Sequence, residues 1–280
     1  FSKKKKKEKK QEKKQADSFA FEIPGQKKSV DVSKKKEKEA VQEIGETLLA
    51  DDSEASLFMP YLIDKKTGQL INSIEVPPVA PFENTVMRGS PNFSEDGEFL
   101  AAACSDGRGM LFDAAGKVLW QRELSKPAQI DNVWINASGR DGFAAEAGVI
   151  FTTINTFNRE NWQLPTPVEH PSNNSMFVFN YDGTFKYKYR ALGTMEQIDF
   201  SNNMAACAVG RNVRTHNYAA HGAVVLDLND GTELNFFHTE GPLQAVAISS
   251  NGKKIAGIEA PAVTPEGKII GAYRLHIWQR

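Results

Sequence analysis

The chain is poor in cysteine and has no long apolar run. Two cysteines in 280 residues, Cys104 and Cys207, exclude a fold stapled by several disulfides. They close the similar strings Ala101-Ala-Ala-Cys104 and Met204-Ala-Ala-Cys207, which read as small-residue buried strands with core thiols. No apolar stretch approaches the roughly 20 residues of a membrane-spanning helix, and no signal-peptide core is present. A nucleophile elbow, a zinc-protease His-Glu pair, a phosphate loop, an EF-hand and paired CxxC motifs are all missing from the string. The expectation is therefore a chain with no catalytic residue, no metal ligand set and no cofactor.

Charge is balanced in sum and uneven along the chain. Residues 1–39 carry 15 Lys against 7 acidic residues, leaving 19 Lys plus Arg against 28 acidic residues in 40–280. A basic segment neutralises phosphate or anionic lipid, whereas the acidic body argues against a nucleic-acid surface. Lys3, Lys4, Lys5, Lys6, Lys7, Lys9 and Lys10 are the candidate contacts to an anionic membrane surface or an acidic partner. Residues 3–14 contain only Lys, Glu and Gln, so they offer no apolar stripe and read as a disordered arm or a solvated helix. The chain begins Phe-Ser-Lys-Lys-Lys-Lys-Lys, as a segment following a transmembrane helix into the cytoplasm would. A cytoplasmic location, on the inner face of a membrane, is the corresponding expectation, with an extracytoplasmic one left open. Residues 40–56 form a linker in which Ala40, Val41, Ile44 and Leu48 share one helical face, interrupted by Gly45.

From residue 57 to 280 a strand-turn-strand unit recurs. One series is Tyr61-Leu-Ile-Asp-Lys-Lys-Thr-Gly68, Met110-Leu-Phe-Asp-Ala-Ala-Gly116, Phe177-Val-Phe-Asn-Tyr-Asp-Gly183 and Val224-Val-Leu-Asp-Leu-Asn-Asp-Gly231, with turn glycines 48, 67 and 48 residues apart. A second series interleaves with it, led by Phe93, Ile135, Phe200 and Ile248 at spacings of 42, 65 and 48. Both carry extra length in the same place, which maps to an insertion near 148–174. A period close to 48 with two hairpins per unit fits four-stranded propeller blades, whereas helical repeats run shorter. The expected fold is all-β: a small β-propeller of four or five four-stranded blades behind a Lys-rich N-terminal tail or helix. Residues 57–77 are expected to complete the last blade and close the ring.

The string Ser90-Pro-Asn-Phe-Ser-Glu-Asp-Gly-Glu-Phe-Leu-Ala resembles the opening of a WD40-type blade, and Leu111-Phe-Asp-Ala-Ala-Gly-Lys-Val-Leu-Trp120 resembles a PQQ-type repeat. Gly-His and Trp-Asp dipeptides are missing, so the resemblance stops at the level of propeller repeats. It implies a protein-interaction scaffold or accessory subunit of a larger, membrane-associated complex. The alternative is a quinoprotein-like or other small-ligand propeller enzyme using the loop 210–221.

Two connections concentrate polar side chains on the expected loop face. One holds Arg211, Arg214, His216, Tyr218 and His221; the other holds Arg159, Trp162 and His170. Such residues suit an anion, a carboxylate or a partner's acidic loop. The five-residue gap between His216 and His221 fits neither a helical nor a strand pair of metal ligands. Trp120, Trp134 and Trp278 sit inside strand patterns and are expected to pack between blades.

Overall fold

A computed structural model describes residues 61–130, 133–156, 168–210, 220–264 and 266–280. The tail 1–39 and linker 40–56 lie outside the described residues. The described residues form twenty strands. A first hairpin pairs β1 (Tyr61–Ile63) with β2 (Leu70–Ser73). Sheet I follows as β3 (Met87–Phe93), β4 (Phe99–Cys104), β5 (Arg108–Asp113) and β6 (Val118–Glu123). A short β7 (Ala128–Ile130) pairs with the start of β8 (Val133–Ala145). Sheet II is completed by β9 (Gly148–Thr156), β10 (Ser175–Phe179) and β11 (Phe185–Arg190). Sheet III contains β12 (Thr194–Ser201), β13 (Met204–Gly210), β14 (Gly222–Asp227) and β15 (Glu233–His238). Sheet IV pairs β16 (Leu243–Ile248), β17 (Lys254–Glu259) and β20 (Arg274–Gln279), with a small hairpin of β18 (Ala262–Val263) and β19 (Ile269–Ile270) between the last two.

Hairpins form at each turn of the first series and at those led by Phe93, Phe200 and Ile248; strands within each sheet run antiparallel in chain order, and β3 of sheet I also pairs β8 of sheet II in parallel at Pro91 and Gly142. This is a small β-propeller. The turns use the left-handed backbone as anticipated: Gly116 has φ +83°, and Asn202, where the series lacks glycine, has φ +50°.

Period-two alternation gives each sheet two buried sides. Leu100, Ala102 and Cys104 of β4 face Leu62, Ile74 and Val76 beside the first hairpin, while Ala101 and Ala103 face Phe151, Phe177 and Phe179 of sheet II. Met176 and Val178 of sheet II meet Cys207, Val224 and Leu226 of sheet III. Ala206, Ala208 and Val225 of sheet III in turn meet Val246, Ile248 and Ile255 of sheet IV. The core is thus a series of slabs, each joining one sheet's onward side to the next sheet's backward side.

Innermost strands are also linked by side chains reaching across one repeat. Asn92 Nδ2 donates to the Gly142 carbonyl at 3.0 Å, Gln197 Oε1 accepts from the Val246 N–H at 2.9 Å, and Asp199 Oδ2 accepts from the Ile248 N–H at 2.8 Å. Backbone groups of the innermost strands are satisfied this way.

Two expectations are corrected. The copy led by Ile135, Ile135-Asn-Ala-Ser-Gly-Arg-Asp-Gly142, does not turn at its Asp-Gly as its series would have it: β8 runs through to Ala145 and turns before Gly148. Gly139 and Gly142 instead let β8 lie against sheet I: an added Cβ would meet the Cys104 carbonyl oxygen at 2.6 Å and the Ala102 nitrogen at 2.7 Å respectively. Residues 57–77 do not complete the last sheet either. β20 takes the third position beside β17, and the first hairpin packs on sheet I instead.

Candidate partner-binding face

Antiparallel order sends the tight turns of all sheets to one end and the longer connections to the other. The connections that follow β4, β6, β9, β11, β13, β15 and β17 start from the loop end, so the described strands β9 and β13 that lead into the two candidate loops both finish there. Arg159, Trp162, Arg211, Arg214, His216 and Tyr218 fall outside the described residues, as do Lys3 to Lys10. His170 and His221 are described, and both are buried.

His170 Nε2–H donates to the Lys126 carbonyl at 2.7 Å, and its Nδ1 accepts from the Ser172 N–H at 3.0 Å. Burial lowers its pKa, the charges of Lys188 and Arg190 act in the same direction, and only the bond to the Lys126 carbonyl opposes them. A neutral ring used at both nitrogens fixes the base of the long connection before β10. His221 Nδ1 lies 3.2 Å from the Glu240 carbonyl, while its own carbonyl accepts from the Thr239 N–H at 3.1 Å. That pairing holds the start of β14 to the connection entering sheet IV.

Two buried carboxylates do the same work and were not singled out in the sequence. Asp106 Oδ2 accepts from Thr85 Oγ1 at 2.7 Å and from Arg108 Nε at 2.9 Å, and Arg108 also donates to the Pro77 carbonyl at 2.7 Å. Glu259 accepts from the Gly241 N–H at 2.8 Å, the Ala272 N–H at 3.3 Å and His276 Nε2 at 2.6 Å. Burial pushes the Glu259 carboxyl up. The bonds from His276, Gly241 and Ala272, with the Arg274 charge, outweigh that and hold its pKa below the ordinary glutamate value. An acid inside the apolar run Ile255-Ala-Gly-Ile-Glu-Ala260 was the available signal.

On this fixed base stand exposed apolar side chains. Trp134 at the start of β8 is 58% exposed, and Tyr273, just before β20, is 83% exposed. Leu192, Val263 and Ile269 are exposed at the same end. Trp120 packs edge-on to Phe151 and donates to the Tyr181 carbonyl, and Trp278 stacks on Phe237, as expected of packing tryptophans. Trp134 is instead more than half exposed at the start of β8, where it pairs with Gln129 of β7.

At the turn end, a cavity of about 560 Å³ is lined by Glu95, Asp96, Glu146, Tyr181, Phe200 and Asn202, among others. Among the described residues, no three His, Cys, Asp or Glu side chains are grouped to hold a metal ion.

The strand topology is that of a small β-propeller. No family model and no curated protein matches the sequence. Among solved structures, the β-propeller domain of Cps50 (Swd1) from Myceliophteria thermophila is similar at 14% identity over 79% of this chain and 64% of that one, with a TM-score of 0.43. Hydrazine synthase of Kuenenia stuttgartiensis aligns at 12% identity over 79% of this chain and 57% of that one, TM-score 0.49. The WD40 domain of Pan2 from Neurospora crassa aligns at 13% identity over 68% and 49%, TM-score 0.38. The chain spans less than two thirds of the length of each of these structures.

Proposed function

We propose that this chain is a non-catalytic interaction scaffold, an accessory subunit of a larger complex, which presents the loop end of its propeller to a protein partner. The observation that carries this reading is the gathering of exposed Trp134, Leu192, Val263, Ile269 and Tyr273 at the end where connections are tied down by buried His170, His221 and Glu259. Large apolar and aromatic groups held on a rigid base bind at low entropic cost, and Trp and Tyr are the residues that dominate interfaces. Substituting both Trp134 and Tyr273 by Ala is expected to abolish co-purification of a stoichiometric partner from the native source while leaving the thermal midpoint unchanged. Equal recovery of that partner by the variant, or turnover of a substrate by the purified chain, would sink the reading.

The lysine-rich segment supplies the second element of the proposal, attachment to the cytoplasmic face of an anionic membrane. Each Lys near such a surface contributes about 1 kcal/mol, screened by salt. Removing residues 1–39 is expected to lower co-sedimentation with phosphatidylserine vesicles by at least about tenfold at low salt. Unchanged sedimentation would remove the membrane role.

A further inference from the structure

Sheets I to IV end on β6, β11, β15 and β20, and among the described residues no strand pairs with the outer edge of β11. That strand reads Phe185-Lys-Tyr-Lys-Tyr-Arg190. It holds three cations and no acid, whereas β6 has one Arg and one Glu, β15 has a Glu and neither Lys nor Arg, and β20 has one Arg. The positive strand stands out in a body where acidic residues outnumber Lys plus Arg by 28 to 19 over 40–280.

Register and packing fix where these charges lie. Tyr187 and Tyr189 pack on the core between sheets II and III, so Lys188 and Arg190 take the other side, with Phe177 opposite Lys188. Lys188 Nζ sits 5.1 Å from the centre of that ring and donates to the Pro171 carbonyl at 3.1 Å and to Ser172 Oγ at 3.4 Å. Lys186 Nζ donates to the Ala147 carbonyl at 3.1 Å. Both ammonium groups are anchored on neutral oxygens, which place the charge without cancelling it. Of the three cations, Arg190 meets a carboxylate, Glu169, at 3.4 Å. Partial burial and the Arg190 charge both lower the Lys188 pKa, and burial together with these two charges lowers that of His170. Like charges thus face one another here with too little acid between them.

Lysines on an edge strand discourage pairing with neutral or basic strands, and a row of carboxylates reverses the sign of that effect. Residues i and i+2 of a strand lie about 7 Å apart on one side, so alternate acids of an added strand fall beside Lys188 and Arg190. We propose that an extended acidic segment of a partner protein adds to the outer edge of β11 as a further strand of sheet II, with carboxylates at alternate positions beside Lys188 and Arg190. Main-chain hydrogen bonds supply the affinity, and the cations select acid over base and set the register. The contact uses neither Trp134 nor Tyr273, so its failure leaves the partner-face proposal standing, and the reverse holds.

Fluorescence anisotropy of a labelled peptide of alternating Glu and Thr, titrated with the full chain, reads the contact. Binding is expected, weaker for a peptide of the same composition whose glutamates form one block, and absent for alternating Lys and Thr. Lys188→Glu with Arg190→Glu is expected to lower the affinity by at least about tenfold, because two attractive pairs become repulsive. Lys188→Arg with Arg190→Lys, which keeps both charges, retains it. Amide exchange of Phe185–Arg190 should slow in the saturated complex. No binding, equal binding of the block peptide, loss of binding in the charge-keeping chain, or unchanged exchange at β11 would each overturn the proposal. So would full binding by a folded charge-reversed chain, as contact through Lys3 to Lys10 would give. If charge reversal lowers the thermal midpoint, the charge-keeping chain and the exchange measurement decide. Sedimentation with phosphatidylserine vesicles that falls on charge reversal while peptide binding holds would assign the cations to a membrane instead.

Discussion

Phe151→Ala is expected to lower the unfolding free energy by about 3–5 kcal/mol, close to the upper range for a single core truncation. The ring has no solvent exposure. It meets Trp120 edge-on and Phe179 at a steep tilt, each with 6.0 Å between centroids. Its atoms also fill the space where Gly109 has no side chain, since a Cβ there would fall 2.6 Å from the ring. One residue thus supports sheets I and II simultaneously. Collapse of the resulting cavity would need movement of two backbones, so little relaxation is available. Natural domains are stable by about 5–15 kcal/mol, so the loss is a large fraction of the total. Urea titration followed by tryptophan fluorescence measures it; a loss under about 1 kcal/mol would mean that the interface of sheets I and II does not close around this ring.

Glu259→Ala is expected to cost a comparable amount, about 3–5 kcal/mol, because it breaks a buried charged hydrogen-bond network by deleting one partner. The Gly241 and Ala272 amides lose their acceptor, His276 loses its carboxylate, and the connection into sheet IV loses its tie to β17. Acidification of the wild-type chain should weaken the same corner. Its folded carboxyl titrates below the ordinary glutamate value of 4.5, so the folded state binds the proton less readily than the unfolded one. The stabilisation is therefore complete above pH 4.5 and disappears as pH falls through the folded pKa. Amide exchange at Gly241 and Ala272 gives the local readout: protection at neutral pH, lost in Glu259→Ala. Equal protection in both chains would show that the carboxylate does not hold this corner.

These two residues mark what the sequence discloses and what it hides. Hairpins were legible because each requires a turn residue tolerant of positive φ between apolar runs, and Gly68, Gly97, Gly116, Gly183, Gly231 and Gly252 announce themselves at repeat spacing. Buried strands were legible in Ala101–Cys104 and Met204–Cys207, where only small residues fit between two slabs. The path of β8 was not, because Gly139 and Gly142 serve close approach between sheets, and a glycine kept for packing looks the same in a string as one kept for a turn. The strand Tyr273–Trp278 was legible as part of the last sheet, but the added hairpin of residues 57–77 was not its completion, because pairing between partners so far apart in sequence leaves no mark in the string. At the loop end, His170 and His221 were visible as candidates, but their burial was not. Exposure of Trp134 is a property of register, which composition does not encode.

The side-chain links between innermost strands carry a mechanical consequence. Asn92, Gln197 and Asp199 each tie a sheet to the one after it, as the apolar slabs do, so the described sheets behave as a series of nearest-neighbour couplings. Sheets I, II and III are each braced on two sides. Among the described residues the first hairpin and sheet IV are braced on one, and local opening is expected to be easiest there.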